Sequence, residues 1–176
     1  MLTRLAAFGI CILCAGAPAL AAAQELAAYG SCFNVDGEDD AWGGGLYFGA
    51  DYLQLAQHQL TIDARAGYVQ DVAGRNSADL LPVEAGLSLA LYHASPISLF
   101  TGAGGGAYIF NSDGVEIDNS AGWYGVIGCR ILLNDAAALR AEALYRDTMQ
   151  SSGATDIKGL VLNAGLSFRF DMAGGD

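Results

Sequence analysis

Few residues in this chain are equipped for chemistry. His58 and His93 are the only histidines among 176 residues, and histidine is the side chain that exchanges a proton most readily near neutral pH. Ser151 and Ser152 stand together as candidate nucleophiles, but a serine needs a base beside it to act. Asp36, Glu38, Asp39 and Asp40 form the run DGEDD, an oxygen-rich group of the kind that binds Ca²⁺ or Mg²⁺. The run lacks EF-hand spacing, and charged runs are most often solvated. The expectation is therefore no metal site, with a divalent cation on these acids as the alternative. A third set is different in kind. The acids Asp51, Asp63, Asp71, Glu84 and Glu142 and the arginines Arg65, Arg130, Arg140, Arg146 and Arg169 recur at alternate positions among small and polar neighbours. What they can do depends on the elements that hold them.

Those elements are strands. In GLVLNAGLSFRF, Leu160, Leu162, Ala164, Leu166, Phe168 and Phe170 alternate with Val161, Asn163, Gly165, Ser167 and Arg169. A period of two marks a strand with two unlike faces. LTIDARAGY and LPVEAGLSLAL repeat the pattern, as do segments 26–35, 44–56, 59–73, 81–93, 97–110, 122–133, 137–148 and 158–170 as a set. No segment has a 3.6-residue period, so the chain is all-β. Connections at 56–58, 95–96 and 134–136 are short, whereas 36–43, 74–80, 111–121 and 149–157 are long and rich in Gly, Asp, Asn and Ser. Short and long links in alternation predict an up-and-down antiparallel meander of eight strands whose two ends face different surroundings.

Residues 1–23 read as a signal peptide: Arg4, then the apolar LAAFGICILCAGA, then ALAAA, with cleavage after Ala23 or Ala21. Gly16 and Pro18 interrupt the stretch, which is short for a membrane anchor. Residues 24–176 are then one domain, with strands over 26–170 and a tail at 171–176. The net charge of −11 speaks against nucleic acid, which calls for a basic footprint.

The charges fix which face is inside. They lie on the polar faces, and the apolar faces carry almost none, Asp147 at a strand end excepted. A soluble barrel would show the reverse. An arginine facing hydrocarbon at mid-depth costs about 2–4 kcal/mol, and sliding a strand by one residue would put it there. The apolar faces are therefore expected to meet lipid, with Tyr68, Trp123 and Tyr145 near the long-loop edge and Phe168 and Phe170 near the short-turn edge. An eight-stranded interior is only wide enough for side chains, so Asp51, Asp63, Arg65, Glu84, Arg130, Arg140, Glu142, Arg146 and Arg169 are expected to pair across it. Gly49, Gly67, Gly86, Gly102, Gly104, Gly106, Gly128 and Gly165 would make room for the long charged groups. Cys32 is placed inward with Ala28, Gly30 and Asn34, and Cys129 outward with Trp123, Ile127 and Ile131. No disulfide is expected between them, since a bridge needs Cα atoms about 4.4–6.8 Å apart.

Three stretches carry a family likeness: SLFTGAGGGAYIF, ALRAEALYRD and the closing GLSFRF. They are similar to the glycine-rich, penultimate and final strands of the eight-stranded outer-membrane β-barrel proteins, the OmpA/OmpX-like group with its porin-like relatives. The sequence resembles that group over nearly all of 26–170, although DMAGGD follows the aromatic at which members often end. The resemblance implies an eight-stranded transmembrane β-barrel in the outer membrane, among lipid and lipopolysaccharide, inserted by the barrel assembly machinery, and needing no cofactor. It implies a structural, envelope-integrity or surface-interaction role, with a narrow channel for ions or small solutes as the alternative. Some members modify lipid A with serine, histidine and an acid near the external leaflet. Here His58 and His93 fall at short turns, opposite the end that holds Ser151 and Ser152, so an enzyme is not expected.

Overall fold

The computed structural model describes residues 24–35, 40–55, 58–72, 78–112, 119–148 and 158–170. They form β1 (Gln24–Val35), β2 (Ala41–Leu55), β3 (His58–Gln70), β4 (Ala78–Ala94), β5 (Ile97–Ser112), β6 (Ser120–Leu132), β7 (Ala137–Thr148) and β8 (Lys158–Phe170). Each strand pairs antiparallel with the next, and β1 pairs with β8 to close the barrel. Among the described strands closure leaves none at an open edge, which is what a sheet in hydrocarbon requires.

The alternation read from sequence becomes two surfaces. In β8, Leu160, Leu162, Leu166, Phe168 and Phe170 are exposed, while Val161, Asn163 and Ser167 are buried. Leu46, Leu87, Leu99, Ile127 and Leu139 continue the exposed apolar band around the wall. Two register shifts, at Asp51/Leu53 in β2 and at Ala90/Tyr92 in β4, lie near the short-turn end. Each puts two successive apolar residues on the outside, Tyr52 with Leu53 and Leu91 with Tyr92. A bulge does this because its extra residue breaks the alternation locally.

Three expectations need correction. β1 has the opposite phase: Glu25, Ala27, Ser31 and Phe33 are buried, and Cys32 shares the outer face, paired in register with the exposed Trp42 and Leu162. LAAYGSCFNV carries no charge on either face, so the rule that orients the other strands has nothing in it to act on. Glu25, which does fix the phase, precedes the expected start of the strand. Asp71 is not a lumen acid. β3 ends at Gln70, and Asp71 turns out of the sheet with φ 55° and is exposed. Its backbone N–H donates to Asp79 Oδ1 at 3.4 Å. None of the inward glycines lies against an arginine; Gly49, Gly86 and Gly128 accommodate rings, and Gly106 lies against the Glu84 stem. A Cβ at Gly86 would collide with the Tyr124 hydroxyl, one at Gly49 with Tyr47, and one at Gly128 with Phe100.

Candidate functional site: the charged lumen

The lumen is filled from the wall inward. Arg130 on β6 and Arg140 on β7 are register neighbours, a like-charge pair that is unfavourable unless an acid lies between them. Glu25 supplies it from β1 across the barrel: its Oε2 accepts from Arg130 Nη1 at 2.8 Å and its Oε1 from Arg140 Nη1 at 3.1 Å. Arg140 Nε donates to Glu142 Oε1 at 2.6 Å, and Arg65 Nη1 donates to Glu142 Oε2 at 2.6 Å. Arg65 Nε reaches Asp63 Oδ1 at 3.4 Å. The chain Arg130–Glu25–Arg140–Glu142–Arg65–Asp63 is thus continuous and joins β1, β3, β6 and β7.

Two further pairs stand apart from it. Arg146 grips Glu84 with Nε at 2.7 Å and Nη2 at 2.9 Å, and the Tyr108 hydroxyl donates to the same carboxylate at 2.9 Å. Arg169 Nη2 meets Asp51 Oδ2 at 2.5 Å, with Thr61 donating to Oδ1 at 3.0 Å. Every expected lumen residue is brought into one of these groups. Arg65 faces Glu84 in register, yet each takes a partner elsewhere, so strand register alone does not predict the pairs. With Glu25 in the place expected of Asp71, five acids face five arginines.

Aromatic rings complete the filling. Arg140 Cζ lies 3.8 Å from the Tyr47 ring centroid and 4.3 Å from that of Phe100. Arg65 Cζ lies between Tyr47 and Tyr124 at 5.2 and 5.1 Å. Such contacts stabilise a desolvated cation by about 2 kcal/mol or more. The hydroxyls of Tyr124 (2.8 Å) and Ser88 also donate to Asp63. Tyr47, Tyr108 and Tyr124 are buried. The signal for them lay in strand phase, since Tyr124 alternates with the outward Trp123 and Tyr47 with the outward Leu46.

Two small cavities among the described residues lie toward the short turns. One cavity of about 30 Å³ is lined by Glu25, Tyr47, Ser88, Ser98, Arg130 and Arg140 among others. A second, of about 10 Å³, lies beyond the Arg130–Glu25 bridge beside Ser167 and Arg169. A water needs roughly 10–15 Å³, so these hold one or two waters and no larger solute.

On the outside, Tyr68, Trp123, Tyr145, Phe168 and Phe170 are all exposed. The rings of Trp123 and Tyr145 are 5.9 Å apart, and the Tyr68 hydroxyl donates to Asp79. Trp42 joins the long-loop girdle at 67% exposure, and Tyr52 and Tyr92 join the opposite one. His58 sits at the start of β3, with Nδ1 donating to the Ala90 carbonyl at 3.0 Å, and His93 lies in β4 opposite Ser98. Of the acidic run, Asp36, Glu38 and Asp39 lie outside the described residues, as do Ser151 and Ser152. Asp40 is exposed and accepts from Asn34 at 2.7 Å. Cys32 and Cys129, the cysteines among the described residues, are free thiols. They stand on β1 and β6, which β7 and β8 separate.

A family model described as the outer membrane protein beta-barrel domain matches residues 7–170. The chain belongs to that family. Solved outer-membrane barrels share its fold. Neisserial surface protein A is similar with a TM-score of 0.61 and 16% identity, over 84% of this chain and 96% of that one. OprG from Pseudomonas aeruginosa gives 0.59 and 16%, over 86% and 97%. Ail, the attachment invasion locus protein of Yersinia pestis, gives 0.55 and 15%, over 84% and 97%. No curated protein sequence matches the chain. The protein is an outer-membrane β-barrel, and its exposed apolar band is the surface that meets lipid.

Proposed function

We infer that this barrel conducts no solute and serves the outer membrane as a structural or surface-interaction protein, its lumen acting as a rigid core for the loops above. The observation that carries the reading is the ion-pair chain from Arg130 to Asp63, which crosses the lumen between opposing strands, beside cavities of about 30 and 10 Å³. The long loops are acidic, with Asp36, Glu38, Asp39, Asp40, Asp79, Asp113, Glu116, Asp118 and Asp156 against Arg75 and Lys158. Acids at that rim suit contact with basic partners, or with anionic lipopolysaccharide through bridging divalent cations. The mature chain reaches its place through the barrel assembly machinery in this reading.

Catalysis finds no support. His58 is engaged with a backbone carbonyl at the short-turn end, away from any external lipid headgroup. A narrow channel is the second reading, favoured by one feature: the polar cavity in the short-turn half of the lumen. Planar-bilayer recording of the refolded barrel separates the two. The proposed function gives a quiet membrane, and stable steps in the nanosiemens range would establish the channel instead.

A further inference from the structure

We propose that the larger lumen cavity is a binding site for one small monovalent anion of chloride size, held between Arg130 and Arg140. The two arginines are register neighbours on β6 and β7, and both line the cavity of about 30 Å³. Glu25 is the one carboxylate that lines it with them. Each of its oxygens already accepts from a guanidinium, Oε2 from Arg130 Nη1 and Oε1 from Arg140 Nη1. Around this space two cations therefore stand against a single acid, and that acid is shared.

Donors are left over. A guanidinium carries five N–H protons and no acceptor. Arg130 Nε is buried and has no hydrogen-bond partner among the described residues. The same holds for Arg140 Nη2, which lies 2.6 Å from Glu142 Oε1 but out of line for a hydrogen bond. The Arg140 side chain is only 6% exposed, so bulk water does not serve it. An unmet donor on a buried charge is costly, and both donors belong to residues of one cavity wall. The Ser98 hydroxyl, buried and opposite Arg130 in register, can donate as well.

A wall that offers protons and excess positive charge selects a guest that only accepts. A water would fill the volume, but it must place two protons of its own and it leaves the excess charge unmatched. A monatomic anion fits in the place of one or two waters, whereas a polyatomic anion such as sulfate does not. Its way in is the short-turn end. Glu25 and Arg130 also line the smaller cavity there, and their bridge, with side chains 9% and 13% exposed, is the least enclosed link of the ion-pair chain. On the loop side the pairs of Arg140, Glu142 and Arg65 lie across the lumen, so occupancy needs no conduction.

The test uses halides on the barrel isolated from outer membranes. Crystals soaked in sodium bromide should show an anomalous scattering peak between Arg130 and Arg140. In solution, sodium chloride replacing sodium gluconate at constant ionic strength should raise the urea midpoint, in proportion to the logarithm of chloride once the site fills, because a ligand held only by the folded state stabilises it. Gluconate is the monovalent anion too large to enter. Arg130→Met should abolish the rise, and Lys158→Gln, which removes an exposed cation at the opposite rim, should keep it. If Arg130→Met does not fold, the bromide peak and the chloride response of the parent decide. Equal midpoints in chloride and gluconate, or water without bromide between the two arginines, overturn the proposal. A chloride response that survives Arg130→Met overturns it too, since the ion then acts elsewhere, and a bromide peak with no midpoint response marks an adventitious ion only.

Discussion

Toward the long loops, Arg146 and Glu84 meet with side chains 3% and 0% exposed, whereas at the short-turn rim Arg169 and Asp51 meet with 33% and 17% exposed. The first pair accepts a hydrogen bond from Tyr108, a member of the buried apolar cluster that includes Phe33, Leu80, Phe110, Leu144 and Val161. The second lies beside the cavities. The same chemistry therefore has different consequences at the two ends. In the dry half, each charge depends on its partner, because the alternative is an unpaired ion in a low-dielectric interior. In the wetter half, solvent and salt can substitute for a partner. The barrel is stoppered toward the loops and slightly open toward the turns.

The largest effect is expected from the dry half. Glu84→Ala strands Arg146 and should lower the unfolding free energy by about 3–5 kcal/mol, read from urea titrations of the barrel in vesicles by tryptophan fluorescence and gel mobility. A loss below 1 kcal/mol would mean that water reaches this pair. Next comes the lipid face, the control for which side is which. Ala164→Arg, at the middle of β8 and exposed, should cost about 2–4 kcal/mol, and a neutral result would remove hydrocarbon from that face. Third are the glycines. Gly86→Ala drives a methyl into Tyr124 and should cost about 1–3 kcal/mol. Gly125→Ala meets nothing within 4 Å and should change stability by less than about 0.5 kcal/mol. Equal effects at both sites would show that the rings do not fill the lumen as described. The smallest effect belongs to the wet end. Asp51→Asn should cost no more than about 1 kcal/mol, and the loss should shrink further as salt is raised.

Much of this architecture is legible in the residues because one physical rule, charges inside and hydrocarbon outside, acts on every strand. It reads correctly wherever a strand carries an arginine or a carboxylate: Asp63 and Arg65 orient β3, Glu84 orients β4, and Arg140, Glu142 and Arg146 orient β7. It fails in β1, where the span from Leu26 to Val35 has no charge on either face and Cys32 is assigned to the wrong one. The same blindness hides Glu25. The partner of each charge is not legible either, because pairing across the lumen depends on barrel curvature and on which ring fills which glycine gap. Arg65 beside Glu84 in register but bonded to Glu142 is the clearest case. Asp71 is missed for a local reason: one residue in the left-handed region ends the strand before its alternation does. Tyr52 and Tyr92 reach the outer girdle only through bulges, which alternation cannot foresee.

The central claim, that the loop-side half of the lumen is a dry core held by buried charge pairs, is tested most directly by a double-mutant cycle on Glu84→Gln and Arg146→Met. Each single change should be strongly destabilising, and the double variant should recover much of the loss, with a coupling of about 2–3 kcal/mol or more. Additive losses would contradict the account, because they would mean that the two side chains do not depend on each other inside a sealed barrel.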